Sequence, residues 1–189
     1  AAVFVAALAS AGSALAEVGG TPGLVVVKKT AVTSFDRSYD WTIKKTADVK
    51  SLTLSTGQEI DVTYDVTVNA ALVDSDWNVK GLVAFLNQTT EPVTINSVND
   101  VMSDGTIVAL TCSKTFMMEL AAGSSINCSY DIDLPNGNTR TNYATVSSSI
   151  GDFTAEANVA FGAPANVTDE CINVSDTLAP GSALGTVCA

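Results

Sequence analysis

Apolar and polar residues alternate along most of the chain after residue 24, as in strands that bury one face and expose the other. Apolar side chains recur at every second position in 59–68, 126–134 and 153–161, with Asp, Asn, Ser, Thr or Glu at most intervening positions. We expect these three segments to be antiparallel strands with one solvated face.

Weaker alternation predicts further strands at 24–33, 38–46, 77–86, 92–101, 106–112 and 139–149. Segment 77–86 is apolar on both faces in its second half, which favours a central strand. A helical turn is expected only at 114–122, with Phe116, Met117 and Leu120 on its buried side. Many short strands separated by Gly, Asn, Asp and Pro turns predict an all-β fold, a sandwich or a barrel.

The first 16 residues, AAVFVAALASAGSALA, carry no charge and end in small residues, as the remnant of a secretory signal peptide would. A transmembrane helix is the other reading, but the run is shorter than the roughly 20 residues that cross a bilayer. We therefore divide the chain into a signal remnant (1–16), a flexible linker (17–23), the sandwich (24–163) and the start of a truncated second module (164–189). The last boundary follows from the sequence Gly-Ala-Pro-Ala at 162–165, which breaks the alternation.

The composition indicates an ordered extracellular protein. Hydrophobic residues make up 47% of the chain and charged residues 15%, which argues against disorder. The formal net charge of −11 disfavours nucleic acid and anionic membrane surfaces as partners. We expect an extracellular or cell-surface location without membrane insertion once the signal is removed, and other extracellular modules or cell-wall components as partners.

Four cysteines, an even number behind an export signal, predict two disulfides. Cys128 is in phase with the apolar positions of its strand, and Cys112 shares a face with Val108 and Leu110, so we expect these two to pair. Cys171 and Cys188 would form the second bridge. Any other connectivity would tie the sandwich to the segment beyond Pro164.

No reaction is suggested by the residues. The chain has no His, which excludes the common triads and His-ligand metal sites, and no strained Gly-x-Ser-x-Gly turn is present. We therefore expect no catalytic residues and no cofactor.

Two residue sets could nevertheless carry chemistry. Asp74 and Asp76 could bind calcium in a loop, although paired carboxylates on a strand are also typical of a solvated face. Lys80 shares a face with apolar residues and could point inward, where surface adhesins form Lys-to-Asn isopeptide crosslinks beside a buried carboxylate. A strand-end lysine that reaches water is the other reading. Trp41 and Trp77 are expected in the core because each is in line with aliphatic neighbours.

Three short segments resemble a known family: LAAGSSINCSY at 120–130, NYATV at 142–146 and VTVN at 66–69. They are similar to motifs of the Ig-like, DUF11-type repeats of bacterial surface proteins, over residues 24–162. The resemblance implies an antiparallel Ig-like β-sandwich used as a stalk, coat or adhesin building block, and no reaction.

The expected function is therefore a non-catalytic, structural or adhesive module. One alternative is a carbohydrate-binding accessory module of a secreted enzyme, which would need exposed aromatic side chains. Another is a filament subunit that donates its N-terminal strand to a neighbour.

Overall fold

The computed structural model describes residues 25–177 and 183–189, except for the side chain of Val26. The signal remnant, the linker and Leu24 lie outside these residues. The described part of the chain is built from strands, without a helix: β1 (Val25–Lys29), β2 (Val32–Ala47), β3 (Tyr64–Asn87), β4 (Val93–Met102), β5 (Thr111–Cys112), β6 (Met118–Leu120), β7 (Ser125–Asp133), β8 (Arg140–Ser148), β9 (Gly151–Val159), β10 (Asn166–Val167), β11 (Cys171–Ser175) and β12 (Ala183–Cys188). Within these ranges there is accordingly no helix that could span a bilayer.

The strands form the sandwich-like sheets of the predicted fold class. One sheet has the order β10-β2-β3-β7-β5, with β1 also paired to β3, and the other has the order β6-β4-β8-β9. Strands β1 and β7 run antiparallel to β3, and the second sheet is antiparallel throughout. Strand β10 departs from this pattern because it pairs parallel to β2. Strands β11 and β12 form a separate antiparallel pair.

Contacts divide the chain differently from the expected boundaries. Among the described residues, one compact unit contains 25–35 together with 75–165, and the other contains 36–74 together with 166–177 and 183–189. The expected division had placed 36–74 inside the sandwich and 164–189 in a module of its own. The difference arises because β2 and β3 have 16 and 24 residues, so each strand runs from one unit into the other.

The first unit contains a large apolar core. Strands β7 and β9 supply it as predicted, with every second side chain buried from Ile126 to Tyr130 and from Ala155 to Val159. Val79, Val83 and Phe85 of β3 are fully buried, so the predicted central strand is confirmed. Each such apolar side chain contributes about 1.5–3 kcal/mol when removed from water.

An aromatic cluster extends the core of this unit. The ring of Trp77 stacks on Phe35 with centroids 4.3 Å apart, and it meets Phe161 edge-on at 4.7 Å. Such geometries are favourable for aromatic quadrupoles. The expectation that Trp77 packs in the core is confirmed.

The second unit has much less buried apolar surface among its described residues. Val174 is buried, whereas Ile60 and Tyr64 are both 50% exposed. The prediction that these two line a core is therefore wrong, and β3 begins only at Tyr64. Polar contacts hold this unit: the indole N–H of Trp41 donates to the Asp169 carbonyl at 2.7 Å, and Lys45 pairs with Asp176 at 2.5 Å.

Two local predictions in the first unit are also wrong. The segment expected as a helical turn contains the short strand β6, whose Leu120 lies opposite Val93 of β4, while Met117 is 79% exposed. Edge pairing with β4 outweighs the weak helical pattern. The strand expected at 106–112 is reduced to Thr111 and Cys112.

Gly81 should be sensitive to substitution because a Cβ there would lie 2.1 Å from the Thr30 carbonyl oxygen and 2.5 Å from the Tyr130 hydroxyl oxygen. We expect Gly81→Ala to lower the free energy of unfolding by about 3 kcal/mol, as overpacking does. Gly162→Ala is the control, since a Cβ at Gly162 meets nothing within 4 Å. Urea unfolding measures both, and equal midpoints would contradict the close approach at Gly81.

Candidate functional site

Both predicted disulfides are confirmed. Cys112 and Cys128 are bonded across β5 and β7, where the two residues lie opposite each other in the strand register. Cys171 and Cys188 are bonded across β11 and β12 in the same way. The described residues contain no free cysteine.

Asp74 and Asp76, which the sequence left as possible calcium ligands, do not lie in a loop. Residues 74–76 lie within the continuous strand β3, although Asp76 has a left-handed φ of 55°. Both carboxylate oxygens of Asp74 accept hydrogen bonds from the Arg37 guanidinium, at 2.7 and 2.8 Å, and this contact lowers the pKa of Asp74. Across the described ranges, no three His, Cys, Asp or Glu side chains are grouped so that they could hold a metal ion.

Lys80 does not point into the core. Its side chain is 62% exposed, and its Nζ lies 3.1 Å from Oδ2 of Asp131. The register of β3 explains the outcome, because Val79 and Val83 are the buried positions and the residues between them face outward.

A different lysine is buried in the first unit. Lys29 follows Val25 and Val27 at every second position of β1, and its side chain is 0% exposed. Its Nζ lies 2.5 Å from Oδ2 of Asp100 and 4.4 Å from the centroid of the Tyr130 ring. The Asp100 side chain is also 0% exposed.

Asn142 completes this buried polar cluster, which consists of Lys29, Asp100, Tyr130 and Asn142. It lies on β8 and is 0% exposed. Its amide is near enough to Asp100 and Tyr130 to affect the pKa of both groups, yet neither its nitrogen nor its oxygen makes a hydrogen bond of normal geometry. Oδ1 of Asp100 also has no partner.

Asn87 shows how a buried asparagine is ordinarily accommodated. Its Nδ2 donates to the carbonyls of Glu91 and Leu120, both at 2.9 Å, and its Oδ1 accepts from the backbone N–H of Thr89. Buried polar atoms without partners cost about 1–3 kcal/mol each. The unsatisfied amide of Asn142 therefore requires a physical reason.

Burial shifts the pKa values of the groups in the cluster. Desolvation lowers the pKa of the Lys29 amine and raises the pKa of the Asp100 carboxyl, outweighing the attraction between them. Both shifts favour a neutral amine beside a neutral acid. Burial also raises the pKa of Tyr130 to about 12, and its O–H donates to the Thr30 carbonyl at 2.6 Å.

Arg140 lies two residues before Asn142 and is also buried, with 5% exposure. Its guanidinium donates to the Asp104 carboxylate, to the carbonyls of Asn136 and Asn138, and to the Asn136 side chain. These contacts join the turn after β4 to the turn before β8. Arg140 is thus a structural anchor.

In the described part of the chain, each unit has an open cleft on its surface. The first unit has one of about 630 Å³ beside Thr30, Lys80, Leu82 and Tyr130. The second unit has one of about 280 Å³ lined by residues 41–43 and 172–175, which include Trp41 and Ile172. Trp41 is half-buried there rather than in a core.

Comparison with known proteins assigns no family. No protein-family model and no curated protein matches the chain. Among solved structures, the secreted serine protease VesC from Vibrio cholerae aligns with a TM-score of 0.34 and 12% identity, over 54% of this chain. The chain spans 20% of that protein's length, and a similarity of this size carries no argument.

The sequence interpretation missed Lys29, Asp100 and Asn142. The alternation of Val25, Val27 and Lys29 was a usable signal for an inward lysine. The inward orientation of Asp100 could not be predicted from the alternation, because an irregularity between Ile95 and Ser97 changes which residues of β4 face inward.

The Arg140 contact should make stability depend on pH at the acid end. It lowers the pKa of Asp104 from 3.8 to about 2, so its contribution is complete above the unfolded value and is lost as pH falls from 3.8 to about 2. We expect Asp104→Asn to be less stable than the wild type at neutral pH and to approach it over this range. Urea midpoints at a series of pH values measure the difference, and a constant difference would contradict the assignment.

Proposed function

We propose that the chain is a structural or adhesive module of a secreted or cell-surface protein. The observation that carries the proposal is the placement of the polar chemistry: Lys29, Asp100, Asn142, Arg140 and the disulfides connect strands and turns within the fold. Of the buried cluster, Tyr130 also borders the 630 Å³ cleft. Buried side chains that are engaged with one another in this way stabilise a fold and do not contact a substrate at the surface.

The cysteines support the location. Two disulfides in a chain without free cysteines among the described residues are typical of proteins from oxidising compartments. The net charge of −11 keeps such a module soluble and away from anionic surfaces. These properties suit the outside of a cell.

The filament alternative is less well supported. Strand β1 pairs with β3 of its own chain from Val25 opposite Asn87 to Lys29 opposite Val83. Val25 and Val27 belong to the main apolar cluster. A subunit that donated this strand would have to vacate its own core, at the cost of the apolar burial described above.

A carbohydrate-binding role is favoured by one observation, the half-buried Trp41 at the 280 Å³ cleft of the second unit. Aromatic faces can pack against the apolar side of a sugar ring. The polar edge of Trp41 is already engaged with the Asp169 carbonyl. This role therefore stands second.

The two roles are separated by binding of the purified protein to insoluble chitin, cellulose and peptidoglycan. For a structural or adhesive module we expect no retention on chitin or cellulose above that of an inert protein of similar charge, and no retention on peptidoglycan that depends on Trp41. Retention that is lost in Trp41→Ala and kept in Tyr143→Ala, a change at a residue outside the cleft, would replace our proposal with the carbohydrate-binding role.

The Cys112–Cys128 bond should be a major stabiliser of the first unit. Its 16-residue separation gives about 3 kcal/mol in the chain-entropy model. We expect the double variant Cys112→Ser and Cys128→Ser to lose that amount. The measurement is Trp77 fluorescence during urea unfolding in a Trp41→Phe background, so that only the first unit is reported. Removal of the Cys171–Cys188 pair is the matched control and should shift this signal less; equal shifts would contradict the assignment.

A further inference from the structure

We propose that the first unit contains an intramolecular isopeptide bond between Nζ of Lys29 and Cγ of Asn142, formed by the protein itself with Asp100 as the proton relay. The modification goes beyond the proposed function and does not depend on it. It concerns Lys29, not Lys80, which is exposed and paired with Asp131.

The placement of the three residues carries the proposal. Lys29 ends β1, which belongs to the sheet of β3, whereas Asp100 and Asn142 lie on the neighbouring strands β4 and β8 of the other sheet. In the register of β4 with β8, Asp100 lies opposite Ala144, two residues from Asn142. All three residues are buried, and the lysine amine is in direct contact with the carboxyl group.

The missing hydrogen bonds point in the same direction. Three of the polar atoms found buried without a partner in the described structure belong to this cluster: Oδ1 of Asp100 and both amide atoms of Asn142. A purely structural Lys–Asp pair would be expected to use the adjacent amide as a hydrogen-bond partner, as Asn87 uses its own neighbours. The Asn142 amide therefore lies beside the carboxyl group that holds the Lys29 amine, and no hydrogen bond of normal geometry engages it elsewhere.

The reaction balances without a further reagent. Neutral Nζ of Lys29 attacks Cγ of Asn142 while the protonated Asp100 carboxyl donates to the amide oxygen and stabilises the developing negative charge. Asp100 then accepts a proton from Nζ and delivers one to Nδ2. The Cγ–Nδ2 bond breaks, ammonia leaves, and the new Cγ–Nζ amide remains, with Asp100 again in its acid form.

The surroundings favour the protonation states that the reaction requires. Desolvation shifts the pKa of Lys29 down and that of Asp100 up, so the amine can be a nucleophile and the carboxyl an acid. The aromatic ring of Tyr130 lies against the amine, and its hydroxyl is fixed on the Thr30 carbonyl. Holding the reacting groups in one geometry replaces a bimolecular encounter by an intramolecular step.

Mass spectrometry of the purified chain tests the bond. After reduction of the disulfides, we expect the intact mass to be lower than the sequence mass by one ammonia. Trypsin should not cleave after the acylated Lys29, so residues 29–37 should be recovered attached to the peptide that begins at Thr141. A folded wild-type protein with the full sequence mass would overturn the proposal.

Loss of ammonia has one competing source, a succinimide at the Asn136-Gly137 sequence. Mild alkali hydrolyses a succinimide, which adds one water to the chain and nearly cancels the loss of ammonia. An isopeptide bond is stable under these conditions. A mass deficit that disappears with alkali, or that fragmentation assigns to Asn136, would also overturn the proposal.

Variants assign the roles. We expect the mass loss to be abolished in each of three variants: Lys29→Arg, Asn142→Ala and Asp100→Asn. The Asp100→Asn side chain has nearly the same shape as the native one, but an amide cannot relay the proton. Lys80→Arg is the control and should retain the full loss. Circular dichroism shows which variants fold, and a folded Asp100→Asn protein that still loses ammonia would remove Asp100 from the reaction. The mass of the wild-type protein alone tests whether the bond is present. The proposal therefore remains testable even if a variant does not fold.

Discussion

Burying a lysine between two sheets is the constraint around which the first unit is arranged. An amine and a carboxyl group with no access to water are costly unless they neutralise one another. Lys29 and Asp100 meet that requirement through direct contact. Their position depends on β1 remaining paired to β3, on the irregularity in β4 that turns Asp100 inward, and on Gly81, which lets β3 approach the Thr30 carbonyl and the Tyr130 hydroxyl.

The other polar and covalent contacts of this unit have a common effect. The Cys112–Cys128 bond joins β5 to β7, Arg140 joins two turns, and the ring of Trp77 packs between Phe35 and Phe161. Each contact holds together segments that are distant along the chain. The Cys112–Cys128 bond lies within one sheet and does not connect the two sheets. A bond from Lys29 to Asn142 would connect them. A fold stabilised in this manner suits a module whose role is mechanical.

The second unit is stabilised by different means. Few of its described apolar side chains are buried, and Val174 is one of them. Its strands are instead connected by the Cys171–Cys188 bond, the bidentate contact of Arg37 with Asp74, and hydrogen bonds from Trp41 and Asn166. Ion pairs and hydrogen bonds at partly exposed sites contribute little individually, about 0–1 kcal/mol for an exposed pair. The disulfide is therefore expected to matter more in this unit than in one with a large core.

Three features could be predicted from the amino-acid sequence: the all-β class, the faces of β7 and β9, and the pairing of the cysteines. Each of these depends on residues close in sequence: alternation with a period of two fixes which side chains share a face, and partners 16 and 17 residues apart can meet across adjacent strands. Other features depend on the folded arrangement and could not be predicted: which lysine is buried, that Asp74 binds Arg37, and how far β2 and β3 extend. Periodicity shows which residues share a face of a strand, but it does not show which of the two faces is covered by the other sheet. In β4 a single irregularity also exchanges the buried and the exposed positions. The contacts of Asp100 with Lys29 and with Asn142 join residues that are distant along the chain, and they exist only after both sheets have formed.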